Sequence, residues 1–279
     1  MAVLLALISA VVYGTSDYCG GRATRSAPLL AVVLVTQVTS ASLSVIVIAV
    51  SDDPFPGASD VAWSVGGGLM SITAVASFYF ALANGAMTVV APITAVVSAV
   101  VPVAVGIATG ERPAPVALIG VVVALVAVAL ISGATRRAER VTPRRIVGLA
   151  VIAGAGFGLL FVFLDRTSEA SGFWPLLIGQ LTTLPIIVVA VMITRVGVRT
   201  VGRAGLLAAA AGALAVAANV SYLVATREGL LSLVAVITSM YPASTVVLAT
   251  ALDHERLSRP QAVGLGLAVA ALGMVAVGA

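Results

Sequence analysis

The sequence predicts an all-α membrane protein with ten transmembrane helices, arranged as two inverted five-helix repeats. The first observation is composition: 61% of the 279 residues are hydrophobic, only 9% are charged, and mean hydropathy is +1.17. A soluble domain has about a quarter charged residues, so this chain could not fold in water without exposing large apolar patches. The second observation is that the chain matches itself at an offset of 144 residues.

The ten predicted helices are apolar segments of about 20 residues, the length that crosses a bilayer. Backbone polar groups in hydrocarbon must be paired within the segment, so spans of this length are helices. A transmembrane β-barrel would instead show alternating strands of about ten residues. The spans are predicted near 2–20, 28–50, 61–83, 87–109, 114–132, 146–164, 172–194, 204–225, 230–252 and 260–278.

The internal match divides the chain into residues 1–135, an arginine-rich linker at 136–145, and residues 146–279. Because each half holds an odd number of helices, the second half is inverted relative to the first. A duplicated bundle of this kind is the usual build of a secondary transporter, with the site between the halves. Matches other than alanine and valine are Gly14 with Gly158, Ser77-Phe78 with Ser221-Tyr222, Gly85 with Gly229, Ile93-Thr94 with Ile237-Thr238, Glu111-Arg112 with Glu255-Arg256, and Gly120 with Gly264.

The arginines predict the orientation in the membrane. All 15 basic residues are arginine, and only Arg112, Arg166 and Arg227 fall outside the loops that follow helices 1, 3, 5, 7 and 9. The positive-inside rule places the arginine-rich loops in the cytoplasm and both termini outside. The first segment has no basic region before it and is long enough to span, so we interpret it as a retained helix of a bacterial inner-membrane protein.

Two hairpins of related sequence occupy the same place in the two halves. The first carries Ala83-Asn84-Gly85, Ala91-Pro92, Pro102, Gly110-Glu111-Arg112 and Leu118-Ile119-Gly120. The second carries Gly229, Tyr241-Pro242, Glu255-Arg256-Leu257 and Gly264, with Asp253-His254 in place of a small residue and glycine, and with Pro242 shifted against Pro102. The first helix contains Tyr13-Gly14-Thr15-Ser16-Asp17-Tyr18.

These motifs resemble the EamA repeat of the drug/metabolite transporter superfamily, and the resemblance covers nearly the whole chain. It implies ten helices, an inverted repeat and alternating access around a central cavity. It also implies transport of a small metabolite or drug-like solute. Members of this family move amino acids, nucleotide-type metabolites, sugars and other small solutes, so the resemblance leaves the substrate and the direction of transport open.

Asp17 is the first candidate for the site, because it is the only acid well inside an apolar segment of the first half. It lies one turn after Tyr13, so the two side chains share a helix face. An intramembrane acid is costly and is a functional candidate by default. Asp17 could bind a cationic group of the substrate or carry a coupling proton. The alternative is an interfacial charge paired with Arg22 or Arg25.

Gln37 and Gln180 each lie about ten residues into the second helix of their half. Amides at corresponding positions suit a site at the repeat interface, where they offer donors and acceptors to a polar solute. The alternative is a helix–helix hydrogen bond, worth about 0.6 kcal/mol.

Four further polar side chains are predicted near the middle of the bilayer: Tyr79, Asn219, Tyr222 and Tyr241. Membrane tyrosines are more typical of the interface, and in a cavity their rings and hydroxyls could contact a substrate. The alternative for each tyrosine is core packing with a satisfied hydroxyl.

Pro92, Pro102 and Pro242 are predicted to interrupt the fourth helix of each half, and such interruptions point to a transporter site. We therefore expect them to act as gating hinges, although prolines can also simply fit the bundle. Glu111 and Glu255 each precede a helix, and we expect them to stabilise the N-terminus of that helix.

The sequence therefore predicts a secondary active transporter for a small solute in a lipid bilayer, with proton coupling through Asp17 as a hypothesis. A chain without lysine cannot carry the P-loop lysine, so ATP drive would need a partner. A passive channel is the first alternative. A membrane-embedded enzyme is less favoured, because the spans lack paired acids and a nucleophile elbow. With one cysteine, Cys19, and one histidine, His254, we expect no metal or cofactor. The formal net charge of +4 lies in short loops where arginine sets membrane orientation, so we expect no nucleic acid partner. The sequence does not give the oligomeric state.

Overall fold

A computed structural model describes residues 1–84, 87–132, 142–197, 202–253 and 257–278, apart from the side chains of residues 82, 87 and 88. These residues form eleven α-helices and a short 3-10 helix, Glu169–Ser171, and they contain no strand. The all-helical fold class is therefore confirmed. The helices are α1 Ala2–Thr24, α2 Leu29–Ser51, α3 Ala58–Asn84, α4 Met87–Ala108, α5 Pro115–Ile131, α6 Arg144–Asp165, α7 Trp174–Thr194, α8 Ala204–Glu228, α9 Leu231–Thr238, α10 Tyr241–Leu252 and α11 Arg259–Val277.

The outer surface of the bundle is apolar. Among the described residues, nine spans are long and apolar enough to cross a membrane, with α9 and α10 counted together, and α5 is a shorter apolar helix of 17 residues. Large hydrophobic side chains cover the outward faces, such as Val122 at 61% exposure and Val269 at 71%. Helices that are apolar on every side are stable in lipid rather than water.

Each helix packs most extensively against a helix of the other half. The contacts occur in related pairs. The contact of α1 with α8 corresponds to that of α6 with α3, and the contact of α2 with α8 corresponds to that of α7 with α3. The contacts of α1 with α9 and α10 correspond to that of α6 with α4. Replacing every helix by its counterpart in the other half exchanges the members of each pair. The contacts α5 with α11 and α2 with α7 map onto themselves. The two halves are thus interdigitated about a two-fold relation, as inverted repeats require.

The bundle has two ends. We call the end with Met1 and Gly278 the terminal end, and the opposite end, with Arg22, Arg25 and Arg259, the arginine end. Residues 254–256, which include His254 and Glu255, lie outside the described residues, as do Gly85 and residues 133–141, which include 136–141 of the predicted linker.

The ninth span is not the single helix predicted for 230–252. It divides into α9 and α10 at Ser239 and Met240, and Pro242 occupies the first turn of α10. Proline is tolerated there because first-turn N–H groups have no acceptor within the helix. The first copy differs, because α4 continues through Pro92 and Pro102. The expected interruption is therefore found only in the second half, and the hinge role of the prolines stays a prediction.

Glycines allow several of these helices to approach closely, which is how helices gain packing in lipid. A Cβ added at Gly68, Gly154, Gly156 or Gly212 would lie within 2.9 Å of an atom on a neighbouring helix. Gly266 is different, since nothing lies within 4 Å of its Cβ position.

Hydrogen bonds tie loops of the two halves together at the terminal end. The Asp60 carboxylate accepts bonds from the backbone N–H and hydroxyl of Ser168, at 2.8 and 2.7 Å. The Asp53 carboxylate accepts a bond from Phe173 N–H at 2.8 Å. Within the second half, Arg227 donates to the Gly172 carbonyl at 2.7 Å and so holds the same loop.

At the arginine end, Asp253 joins α10 to α1. Its carboxylate forms ion pairs with Arg22 and Arg25 and accepts a hydrogen bond from the Tyr18 hydroxyl at 2.9 Å. The predicted alternative for Asp17 was an ion pair with one of these two arginines. The structure shows neither pair, because both arginines bind Asp253 instead.

We expect Asp253→Asn to have a small effect on stability. The Asp253 side chain is only 10% exposed, but those of Arg22 and Arg25 are 47% and 62% exposed. Because both arginines stay in contact with water, we expect the ion pairs to contribute less than about 1 kcal/mol. Thermal unfolding in detergent should show a midpoint close to that of the unmodified protein. A large drop in the midpoint would mean that Asp253 holds α10 in place through more than these surface charges.

Candidate functional site

Along one face of α1, the side chains change from buried near the terminal end to exposed near the arginine end. Ala6, Ala10, Tyr13 and Asp17 follow one another at spacings of three or four residues, so they share this face. Ala6 and Ala10 are buried, at 0% and 3% exposure, whereas Tyr13 is half-buried and Asp17 is exposed. Burial is thus lost along the inner face in the direction of the arginine end, which indicates a cavity beside Asp17.

The ninth span shows the same trend. Every residue of α9 is buried, whereas α10 has no buried residue. The helix α9 packs against α4 of the other half, while α10 packs mainly against α1. The bundle is therefore closed around α9 at the terminal end and open around α10 towards the arginine end.

Three helices bring polar side chains together at the boundary between these regions. The Tyr13 hydroxyl on α1 donates a hydrogen bond to Oδ1 of Asn219 on α8, at 2.6 Å. The Asn219 Nδ2 donates to the Ala215 carbonyl at 2.8 Å. The Tyr13 ring centroid lies 6.3 Å from that of Tyr241, the first residue of α10.

Asp17 completes this group. It is close enough to act electrostatically on the hydroxyls of Tyr13, Tyr79 and Tyr241. Asp17 makes no hydrogen bond or ion pair with any described residue, and Tyr79 is 39% exposed. We call Tyr13, Asp17, Tyr79, Asn219 and Tyr241 the Asp17 cluster. A solute in the cavity can thus reach an unpaired carboxylate and phenol rings from several helices.

One aromatic ring of α6 lies beside the cluster. The Phe161 ring centroid lies 6.4 Å from that of Tyr13. Phe161 is apolar and nothing in the sequence pattern singles it out, yet the offset of 144 residues makes it the counterpart of Asp17. The two copies of this position therefore differ, with an exposed acid in the first repeat and a buried aromatic ring, at 7% exposure, in the second.

Tyr222 belongs to the core of the bundle. It has 0% exposure, its hydroxyl donates to the Phe161 carbonyl at 3.2 Å, and the two ring centroids lie 4.6 Å apart. This matches the alternative of core packing with a satisfied hydroxyl, so we leave Tyr222 out of the proposed site.

The two glutamines are not joined to the Asp17 cluster by any contact in the described part of the chain. Gln37 Nε2 donates to Oγ1 of Thr183 at 2.6 Å, which links α2 to α7. This is the helix–helix bond foreseen as the alternative. Gln180 is half-buried on α7 and its side-chain amide has no described partner. Metal-binding groups of three or more His, Cys, Asp or Glu are also absent from the described residues.

Glu111 stabilises a helix N-terminus, but not that of α5, which follows it. Its carboxylate accepts hydrogen bonds from the backbone N–H groups of Leu231 and Ser232, at 2.6 and 3.0 Å. These groups begin α9, in the other half. The first turn of a helix has N–H groups without partners and a partial positive charge, which suits a carboxylate.

The comparison that decides the family covers both halves. The sequence matches the EamA-like transporter family over residues 1–133 and 144–277. The chain belongs to the EamA-like transporter family. The resemblance seen in the hairpin motifs is thereby confirmed, together with the two-repeat architecture.

A solved structure supports the fold of this EamA-like transporter. It is described as a crystal structure of a protein, and it superposes with a TM-score of 0.79 over 99% of this chain and 96% of its own. Sequence identity is 16%, so the likeness concerns the fold alone. No curated protein matches the sequence. Because the family consists of membrane transporters, the chain is a multi-pass membrane transporter with a small-molecule solute and membrane lipid as its partners.

Proposed function

We propose that this EamA-like transporter is a secondary active transporter that moves a small solute across the cytoplasmic membrane by alternating access at the Asp17 cluster. The observation that carries this proposal is that the two copies of one element differ in conformation within one structure. The first copy, α4, is a continuous helix, and the second is divided into α9 and α10.

A hydrogen bond distinguishes the two copies as well. Thr94 Oγ1 on α4 donates to the Ala150 carbonyl on α6 at 3.1 Å. The offset makes Thr238 the counterpart of Thr94, and Ala6 that of Ala150. The buried Thr238 hydroxyl nevertheless has no partner among the described residues. If the halves exchange conformations, as in transporters with inverted repeats, Thr238 gains this bond and Thr94 loses it.

The orientation follows from charge. With the arginine-rich loops in the cytoplasm, the arginine end is cytoplasmic and both termini lie outside. The cavity beside Asp17 then faces the cytoplasm in this conformation, and the outer side is closed by α9 and the Asp53 and Asp60 contacts.

Asp17 is also the residue we propose for coupling to protons. Its carboxylate has no ionic partner in the described residues, and its charge acts on the hydroxyls of Tyr13, Tyr79 and Tyr241. Nearer the arginine end, the Asp253 carboxylate forms ion pairs with both Arg22 and Arg25, which leaves that group with a net charge of +1. In proteoliposomes, we expect Asp17→Asn to abolish uphill transport driven by a pH gradient. Retention of that gradient-driven uptake by the variant would show that the proton binds elsewhere.

The test of transport itself begins with solutes that bind. A ligand that binds the folded state raises its thermal stability, so purified protein is screened against amino acids, nucleosides, sugars and cationic drugs. A solute that stabilises the protein is then tested for counterflow in proteoliposomes. Acceleration of labelled uptake by unlabelled solute on the other side is the expected result. A channel would give flux without this acceleration.

Two variants on α8 locate the site. Asn219→Ala removes the acceptor of Tyr13, and we expect it to abolish counterflow. Ser221→Ala is the matched control, because the Ser221 hydroxyl bonds only to the Ala217 carbonyl of its own helix. Equal counterflow in both variants would place the transport pathway away from the Asp17 cluster.

A further inference from the structure

We infer that the solute carried by the Asp17 cluster is an organic cation, held through an ammonium-type group. The inference rests on the proposed transport function and names the chemical class of its substrate. It follows from the charge, the aromatic rings and the hydrogen-bond directions of the cluster.

The cluster carries one negative charge, on the Asp17 carboxylate, that is free to bind a cation. Asp17 is exposed to the cavity and has no partner among the described residues. The acid that follows α10, Asp253, forms ion pairs with Arg22 and Arg25 instead. A cation in the cavity is therefore attracted by an unpaired carboxylate in surroundings less polar than water, where charge interactions are strong.

The rings supply a second attraction for a cation. A cation is attracted by the face of a tyrosine when it lies within about 6 Å of the ring centroid. The Tyr13 and Tyr241 centroids are 6.3 Å apart, with 52° between the ring planes, so one ammonium group can lie within that distance of both. Tyr79, which is also near Asp17, offers a third ring.

The hydrogen bonds favour the same class of solute. The Tyr13 hydroxyl uses its only proton in the bond to Asn219 Oδ1, at 2.6 Å. Its oxygen can therefore only accept a bond from a solute. With Asp17 this makes two neighbouring groups that accept hydrogen bonds and do not donate, which suits the N–H donors of an ammonium group.

Anionic solutes lack a partner in the cluster. A carboxylate or phosphate is normally bound by arginine or lysine. The chain has no lysine, and the two arginines nearest along α1, Arg22 and Arg25, form ion pairs with Asp253. An anion beside Asp17 would be repelled.

The test uses compounds that share one ring and differ in charge. Binding to the purified full chain is measured by titration calorimetry with benzylammonium and benzyltrimethylammonium as cations, benzyl alcohol as the neutral analogue and benzoate as the anion. We expect both cations to bind at least about tenfold more tightly than benzyl alcohol, with no binding of benzoate.

A matched pair of variants assigns the effect to Asp17. Asp17→Asn should weaken binding of both cations about tenfold or more and leave benzyl alcohol unchanged. Asp52→Asn is the control, because it removes an exposed carboxylate at the terminal end, where φ of 53° is tolerated by asparagine. Both variants are first compared with the unmodified protein by thermal unfolding without ligand.

Three outcomes would overturn the inference: no cation binds the unmodified protein, benzyl alcohol binds as tightly as the cations, or Asp17→Asn keeps full cation affinity. The comparison of charged and neutral analogues does not depend on any variant folding. Counterflow of a neutral or anionic solute that requires Asn219 would refute the cation class and leave the transport function standing. Cation binding without counterflow would instead refute the transport function.

Discussion

Replacement of Gly14 by alanine is expected to destabilise the protein and abolish transport. A Cβ at this position would overlap the Tyr241 carbonyl oxygen, and it would lie 2.5 Å from Ser244 Cβ and 2.9 Å from Thr245 N. Most of these atoms belong to the α10 backbone, which cannot rotate away as a side chain could. Overpacking of this kind costs about 1–3 kcal/mol, so we expect a clear fall in the thermal midpoint.

Transport should fail because Gly14 determines where α10 lies. Thr245 Oγ1 donates to the Gly14 carbonyl at 3.0 Å, and Tyr241 lies one turn earlier on the same helix. An extra methyl group separates α10 from α1 and moves the Tyr241 ring away from Tyr13 and Asp17. Uptake of a solute found by the binding screen is the measurement, made on protein reconstituted at equal amounts.

Gly21→Ala is the matched control on the same helix. No atom lies within 4 Å of a Cβ at Gly21, and alanine favours a helix over glycine by up to about 1 kcal/mol. The control should therefore keep full transport and unfold at the same temperature or slightly higher. If Gly14→Ala behaved like this control, the close contact between α1 and α10 would not be needed for the site.

Glu111→Gln is expected to loosen α9 and the closed terminal end. The carboxylate accepts bonds from two backbone N–H groups whose residues, Leu231 and Ser232, are 2% and 0% exposed. Hydrogen bonds to a charged group contribute about 1.5–3 kcal/mol each. Glutamine has one acceptor oxygen and no charge, so it leaves one N–H unpaired and removes the attraction of the helix dipole.

Thermal unfolding and amide hydrogen exchange check this prediction. We expect a lower thermal midpoint and faster exchange in α9, with little change in α7. Glu228→Gln, which changes an exposed acid at the end of α8 beside the same turn, should alter neither. Unchanged protection of α9 in Glu111→Gln would show that burial alone holds the helix in place.

The fold class could be predicted because it depends on composition along the chain and on a repeat that survives in the sequence. The break at Ser239 and Met240 could be predicted only in part. Pro242 indicates an interruption of the ninth span, but Pro92 and Pro102 indicate one in α4 equally well, and α4 stays continuous. One sequence pattern thus takes two conformations, and the choice between them depends on contacts with the other half.

The site could be predicted in part. Polar residues in apolar spans pointed to Tyr13, Asp17, Tyr79, Asn219 and Tyr241, which the structure brings together. The same rule selected Tyr222 and Gln37, which bond to Phe161 and Thr183 instead. Helix periodicity shows which residues share a face, but it does not show what that face meets. For the same reason Glu111 was assigned to the helix after it, although its partner lies 120 residues away.

The interdigitation of the halves has a consequence for how the protein is made. Each of the first five helices packs most extensively against a helix that is synthesised later. During translation the first five helices enter the membrane without their final neighbours. Until α6, α8 and α11 are inserted, the surfaces that these three helices will contact must be covered by lipid or by the other early helices. Assembly in the bilayer can finish only after insertion of the last helix, which packs against α5. Truncation late in the gene should therefore deprive the whole bundle of its order, not only its final span.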